Sequence, residues 1–154
     1  QKSGVIGNFP EKGVVQVVSN YSPTWQRAWS TVGTNWVSDD DGSVTISNPQ
    51  AGNVIVLWAT FVLLPASSQV LWYDFKRVNA DGTVMNVSGE TAGAGRLGPS
   101  FNERISQTWT VRDTGFKPNL DNTYYYSIQP STDSAVYVGH NDVAGGIIAM
   151  EVQG

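Results

Sequence analysis

Hydrophobic residues in this chain fall in short runs rich in β-branched and aromatic side chains, and turn-forming residues separate the runs. This pattern is typical of an antiparallel β-sandwich or barrel, and helical periodicity is hard to find. We therefore predict an all-β fold in which residues 1–13 form an N-terminal arm or linker and residues 14–154 form one domain. The predicted strands lie at residues 14–19, 25–32, 34–38, 43–48, 54–64, 69–78, 83–88, 104–112, 123–129, 134–139 and 146–152.

Turn-forming residues mark several of the connections between these runs. Asp41-Gly42 and Asp81-Gly82 are Asp-Gly pairs between β-like segments, which favour tight hairpins. A second kind of turn, from Pro49 to Gly52, precedes the most apolar run. Residues 89–103 contain four glycines and form the longest segment without a strand pattern, so we expect a loop there.

The run "VIVLWATFVLL" at residues 54–64 is apolar on both sides. Because side chains alternate across a strand, one face carries Val54, Val56, Trp58, Thr60, Val62 and Leu64, and the other carries Ile55, Leu57, Ala59, Phe61 and Leu63. One face can fill the core of a sandwich, but the second also needs a cover. Since no amphipathic helix offers a lid within the chain, a subunit interface is favoured over a covering loop or helix.

The last third of the sequence, "NLDNTYYYSIQPSTDSAVYVGHNDVAGGIIAMEV", resembles the end of tumour necrosis factor-like jelly rolls. In that family a leucine and a tight turn introduce one strand, and the final strand reads close to the segment Gly146 to Met150 of this chain. The Pro49 to Gly52 turn before a long apolar strand also resembles the family, and complement-type heads share the architecture. Departures include Val54 in place of an aromatic residue, no cysteine pair, and no match to the receptor-contacting loops of cytokines.

The resemblance implies a ten-stranded jelly roll that assembles as a compact homotrimer, with the inner sheet packed around the three-fold axis. It assigns Val54, Val56, Trp58 and Val62 to the protomer's own core. The side chains that it places at the trimer interface are Ile55, Leu57, Ala59, Phe61, Trp109, Ile148 and Met150.

Composition narrows the classes of protein that fit this fold. The chain has 154 residues, a formal net charge of −4, only 14% charged residues and no basic cluster, so the electrostatic footprint of a nucleic-acid-binding protein is missing. With no cysteine it has no disulfide framework or Cys-ligated metal site. The apolar run is shorter than the roughly 20 residues that span a bilayer, and membrane insertion is not expected. A chain that starts with Gln is expected to be a fragment or a processed product.

Catalytic chemistry has little support in the sequence. His140 is the single histidine, lies in a turn-like "GHND" segment and would have to serve any Ser-His-carboxylate triad, but no nucleophile-elbow pattern is present. Asp39, Asp40 and Asp41 are consecutive, whereas calcium loops place ligands at alternate positions, so no metal is predicted. The glycines of 89–98 lack the ending of a phosphate loop. We expect neither an enzyme nor a cofactor.

Two segments are candidates for ligand binding. The strand-like segment "YSPTWQRAWS" would place an aromatic pair and a guanidinium on one side, a surface suited to a sugar or a protein partner, although core tryptophans would give the same pattern. The second is the loop 89–103 with its flanking residue, because binding residues concentrate on loops. Together with the histidine, the candidates are Trp25, Arg27, Trp29, Arg96, Phe101, Asn102, Arg104 and His140.

Low charge, absence of cysteine and an abundance of Gly, Ser, Thr and Asn resemble the terminal head of a phage tail fibre or virion spike. The sequence therefore predicts a trimeric, non-enzymatic head at the virion surface, or otherwise extracellular, that attaches to a glycan or protein receptor on the host cell. Two alternatives stay open, a structural trimerisation or capping module and a monomeric carbohydrate-binding module. A cytokine-like ligand ranks last.

Overall fold

The computed structural model describes residues 13–22, 26–29, 36–38, 42–65, 69–82, 84–88, 94–100, 104–132, 135–139 and 144–154. These ranges contain twelve β-strands, arranged in two six-stranded antiparallel sheets, and no α-helix. The first sheet consists of β1 (Val14–Ser22), β2 (Gln26–Trp29), β5 (Val54–Pro65), β9 (Ile105–Asp113), β11 (Val136–Gly139) and β12 (Gly145–Val152). The second consists of β3 (Val37–Ser38), β4 (Val44–Ile46), β6 (Gln69–Asn79), β7 (Val84–Asn86), β8 (Gly95–Ser100) and β10 (Asn122–Pro130).

Strand β5 is the centre of the first sheet. It pairs with β12 along one edge and with β9 along the other, while β1 pairs with the far edge of β12. Beyond the end of β12, β11 pairs with β5 and carries β2 on its other side. In the second sheet, β10 and β6 form the central pair. The chain passes from one sheet to the other several times, an arrangement that is consistent with a jelly-roll sandwich.

Every predicted strand segment contains an observed strand, but the predicted loop at 89–103 is wrong over β8. This strand pairs antiparallel with β6, with Leu97 opposite Leu71. Its glycines hid it from sequence reading, since glycine is depleted in strands. At Gly95 the packing accounts for the glycine, because a Cβ there would lie 2.5 Å from the Tyr73 hydroxyl oxygen. The count of strands also exceeds the ten that the resemblance implies.

Two of the predicted turns form as expected. Gly82 has a φ of +81°, and its N–H donates to the Asn79 carbonyl at 2.8 Å in the turn that joins β6 to β7. Gly52 has a φ of +88°, and the adjacent Asn53 N–H donates to the Gln50 carbonyl at 3.2 Å. Both glycines adopt the left-handed conformation that side chains disfavour. Asp41, and with it the third predicted turn, lies outside the described residues.

The two faces of β5 are the reverse of the prediction. The side chains assigned to a trimer axis are buried between the two sheets of the same protomer, where they form the core together with residues of both sheets. They are Ile55, Leu57, Ala59 and Phe61, all no more than 1% exposed. The face predicted to fill the core points away from the second sheet, and Val54, Val56 and Trp58 are half-buried there. Val62 is buried but lies outside the core cluster.

Trp109 is likewise a core residue, which corrects its assignment as an axial aromatic. It is 4% exposed, and its ring lies 4.9 Å from that of Tyr73 and 6.0 Å from that of Phe61. These are distances at which tilted aromatic pairs attract one another. Phe61 in turn lies 4.3 Å from Tyr126 of the second sheet, so these rings connect the two layers of the sandwich.

The alternation along β9 explains which face of β5 points inward. Trp109 and Val111 are buried, whereas Thr108 and Thr110 are exposed. Trp58 lies directly opposite Thr110, so the two side chains share the outer face of the sheet. Because the polar residues of β9 favour water, they fix the direction in which the doubly apolar β5 is turned.

Candidate functional surfaces

The outer face of the first sheet carries an apolar patch. We call it the outer apolar face, and it consists of Val17, Tyr21, Val56, Trp58, Ile148 and Met150. Met150 pairs with Val17 on one side and Val56 on the other, so the three side chains form a row across β1, β12 and β5. Ile148 lies opposite Trp58 in the row two residues along. Val17 is 57% exposed and Ile148 is 37% exposed, so the patch is open to contact.

Small hydroxyl side chains border this patch on the β9 side. Thr60 and Thr108 lie opposite each other, and their hydroxyl oxygens are 3.0 Å apart. Thr110 and Arg112 continue the polar border and are exposed. An apolar centre with a polar rim is the usual composition of a protein interaction surface.

Only two of the predicted interface residues, Ile148 and Met150, lie on the outer apolar face. The other five are in the protomer's core, as described above. Register also shows why the predicted set could not form one surface, since Ile148 is opposite Trp58 and Ala149 is opposite Leu57. Contact of Ile148 and Met150 with another subunit stays a prediction.

Glu151 lies near the end of β12, and its carboxylate is buried, since the residue is only 1% exposed. Its Oε1 accepts hydrogen bonds from the backbone N–H of Gln50 at 2.8 Å and from Asn53 Nδ2 at 2.6 Å, and its Oε2 accepts one from Gln16 Nε2 at 2.7 Å. Burial alone would raise the pKa of Glu151, but these three hydrogen bonds hold it below the usual value. The carboxylate therefore connects β12 to β1 and to the turn before β5.

A second buried polar cluster lies between the sheets at one end of the core. Asp113 Oδ2 accepts from Arg77 Nη1 at 2.5 Å and from the Tyr124 hydroxyl at 2.9 Å, and Oδ1 accepts from the Gly115 N–H at 2.8 Å. Burial, followed by the Asp113 charge, raises the pKa of Tyr124, which keeps this phenol protonated. Arg77 and Tyr124 both donate to Asp113, so the cluster joins β6, β9 and β10. Sequence reading missed it because its members come from three separate strands.

The predicted ligand-binding residues do not come together in the described part of the structure. Arg96 is exposed on β8 of the second sheet, whereas Arg104 is exposed just before β9 of the first. Arg27 and Trp29 lie on β2, which pairs with β11, but their side chains lie outside the description. The four other candidates, Trp25, Phe101, Asn102 and His140, fall outside the described residues, as do Asp39 and Asp40.

The outer side of the second sheet carries aromatic and polar residues in one row. Trp72 lies opposite Gln129 on one side and Arg96 on the other. Trp36 directly precedes β3, whose Val37 pairs with Ile128, so Trp36 continues this row beside Gln129. Of this row, only Arg96 was singled out from the sequence. The other three could be found only from the register of β10. In that strand Gln129 points to the side opposite the buried Tyr124, Tyr126 and Ile128, and Trp36 and Trp72 lie beside it.

Asp74 is buried on this same side of the second sheet, directly opposite Ser127. Its carboxylate accepts hydrogen bonds from the Phe75 N–H at 2.7 Å and the Ser88 N–H at 3.1 Å. Burial raises the pKa of Asp74 despite these bonds. The acid therefore holds the turn after β7 in place at an electrostatic cost.

The described ranges hold no group of three or more His, Cys, Asp or Glu residues placed to bind a metal ion. They also hold no helix with the length and hydropathy needed to cross a membrane.

Comparison with known proteins places the fold. No protein-family model matches the chain, and no curated protein matches it in sequence. In a crystal structure of an infectious bursal disease virus subviral particle, the VP2 chain is similar with a TM-score of 0.53 and 14% identity, over 94% of this chain and 34% of that one. This chain thus spans about a third of the VP2 chain that it matches.

Two further structures match with lower scores. Eiger TNF from S. frugiperda has a TM-score of 0.47 and 8% identity, over 88% of this chain and 91% of that chain. The enzymatically active domain of tailspike protein 4 from bacteriophage CBA120 has a TM-score of 0.33 and 10% identity, over 84% and 19%. The likeness to VP2 is one of fold, and it agrees with the all-β architecture of two antiparallel sheets, which is consistent with a jelly roll.

Proposed function

We propose that this chain is the head domain of a homotrimeric virion protein, from a phage tail fibre or a spike, and that it attaches to a glycan or protein on the host cell without catalysing a reaction. The observation that carries the proposal is the outer apolar face. A solitary protomer would leave this face in water, where each large apolar side chain forgoes about 1.5–3 kcal/mol of burial.

Three copies of the outer apolar face, packed around one axis, would bury it. Such a closed arrangement uses the same patch on every copy, so the outer apolar face recruits no further chains. The Thr-lined border of the patch would remain at the rim of the contact. In this arrangement Ile148, Met150, Val56 and Trp58 meet the neighbouring subunits, and Ile55, Leu57, Ala59 and Phe61 stay within each protomer.

Attachment to a host is supported by composition and by the logic of a trimer. The chain is weakly charged and contains no cysteine, and this composition resembles that of fibre and spike heads. The VP2 chain with a similar fold belongs to a virus particle. A trimer presents three equal sites to a cell surface, so weak single-site binding becomes strong through avidity.

Binding of fluorescently labelled protein to a panel of bacterial and animal cells tests the proposal. The native protein should bind one host class saturably, and unlabelled protein should compete for the sites. The variant Ile148→Asp, if monomeric, should bind the same cells about 100-fold more weakly because avidity is lost. If the native trimer bound no cell in the panel, a structural trimerisation or capping role would replace attachment.

A further inference from the structure

A cavity of about 300 Å³ opens on the outer side of the second sheet. The described residues that line it are Trp36, Lys76, Val84, Met85, Asn86 and Gln129. These lining residues belong to four neighbouring strands or to their ends. Lys76 on β6 pairs with Asn86 on β7, and Gln129 lies on β10 beside β3. The walls therefore come from paired backbone, and the volume suits one sugar ring with its substituents.

The polar groups of this cavity are mainly hydrogen-bond donors. Lys76 contributes an ammonium group with three donors, and the amides of Asn86 and Gln129 contribute two donors each. Within the described part of the chain, Trp36 Nε1 is shielded from solvent, so Trp36 lines the cavity with its other atoms. None of the described lining residues is acidic.

The apolar part of the cavity adds a surface for stacking. Trp36 and Val84 line the same space as the donors. A pyranose ring has one apolar face of C–H groups and a rim of polar oxygens, which matches an aromatic wall beside donors. The amides of Asn86 and Gln129 can exchange hydrogen bonds with ring hydroxyls.

We propose that this cavity binds a sugar unit that carries a carboxylate, such as a uronic or sialic acid, within a cell-surface glycan. This inference rests on the proposed attachment function and specifies its ligand class. The Lys76 ammonium pairs with the sugar carboxylate, Trp36 packs against the ring, and the amides of Asn86 and Gln129 form hydrogen bonds with sugar oxygens. The row formed by Gln129, Trp72 and Arg96 lies on the same side of the sheet and extends the surface for a longer glycan.

Asp74, the nearest acid along β6, does not oppose this arrangement. It precedes Lys76 by two residues on the same side of the strand but does not line the cavity. Its carboxylate is turned to the backbone N–H groups of Phe75 and Ser88.

Solution NMR with free sugars on the full chain tests the proposal without cells. The probes are D-glucuronic acid, N-acetylneuraminic acid and, as the neutral counterpart of the first, D-glucose. We expect at least one acid to shift the indole N–H signal of Trp36, which the variant Trp36→Phe identifies among the six tryptophans. Binding of that acid should be at least about tenfold tighter than binding of glucose, a ratio that one charge-assisted contact can provide.

Matched variants separate the site from overall charge. Lys76→Met should weaken binding of the acid about tenfold, Lys76→Arg should retain most of it, and Lys117→Met, which removes the same charge at an exposed turn, should leave it unchanged. Equal binding of acid and glucose, equal loss in Lys117→Met, or no binding of either acid at about 10 mM would overturn the proposal. If cells are bound but the acids are not, attachment stands and this site falls. If the acids bind but no cell does, the reverse holds.

Discussion

At the scale of single residues, the buried polar groups of this protein act as connectors between strands. Glu151 accepts three hydrogen bonds, from two side-chain amides and one backbone N–H. No other side chain in that position offers two charged acceptor oxygens at the same distance from the backbone. The Arg77–Asp113 pair has the same role at one end of the core. Neither could be predicted from the sequence, because each depends on strands that are far apart along the chain.

Replacing Glu151 with Gln should destabilise the protein by about 1–3 kcal/mol at pH 7. The amide has one acceptor oxygen where the carboxylate has two, so its NH₂ group would face a donor. Because hydrogen bonds lower the pKa of Glu151 in the folded state, its ionised form contributes stability above the ordinary value of 4.5, and that contribution is lost as the pH falls through the folded-state pKa. Urea unfolding at several pH values should therefore show the wild type and the variant converging in acid. A difference that stayed constant with pH would contradict this account of Glu151.

Replacing Arg77 with Met should cost about 3–5 kcal/mol, since it leaves Asp113 buried without a compensating charge. Lys117→Met is the matched control, because it removes one positive charge from an exposed side chain and should change stability by less than about 0.5 kcal/mol. Chemical denaturation measures both. A loss for Arg77→Met no larger than that of the control would show that the ion pair contributes nothing to the fold.

At the scale of elements, the sequence predicts where the strands lie better than which way they face. Runs of β-branched and aromatic residues between turn residues locate all but one of the strands, and the Gly52 and Gly82 turns form as predicted. The direction of β5 was assigned wrongly because both of its faces are apolar. The amphipathic partner β9 carries the missing information, since Thr108 and Thr110 alternate with Trp109. Strand β8 was missed because its pairing with β6 overrides a glycine-rich local sequence.

A pair of Asp substitutions on neighbouring strands tests the direction of β5. Leu57→Asp should unfold the protomer, because it places a carboxylate among the buried side chains of the core. Ile148→Asp, on the outer apolar face, should leave the protomer folded. Circular dichroism with thermal unfolding distinguishes the two outcomes. A folded Leu57→Asp protein would contradict the burial of Leu57 in the protomer's core and support its placement at a subunit interface, as predicted from the sequence.

At the scale of the whole molecule, a small β-sandwich leaves an apolar face on one sheet and a donor-lined cavity on the other. The sequence predicted an exposed apolar face and two of the residues on it, Ile148 and Met150. It could not predict the cavity, because Trp36, Lys76 and Gln129 meet only through the pairing of β3, β10 and β6. We expect the first sheet to assemble the trimer and the second to face the ligand, so that the two activities can be altered separately.

The mass of the protein in solution, measured by light scattering on a sizing column at micromolar concentration, tests the central claim most directly. The account predicts three chains of 16.7 kDa, about 50 kDa in total, for the native protein. Ile148→Asp should elute as a folded protomer of 16.7 kDa. Leu120→Asp, at a similarly exposed apolar residue in the turn before β10, should remain trimeric. A native protein of 16.7 kDa at that concentration would contradict the account, because the outer apolar face would then have no second copy to cover it.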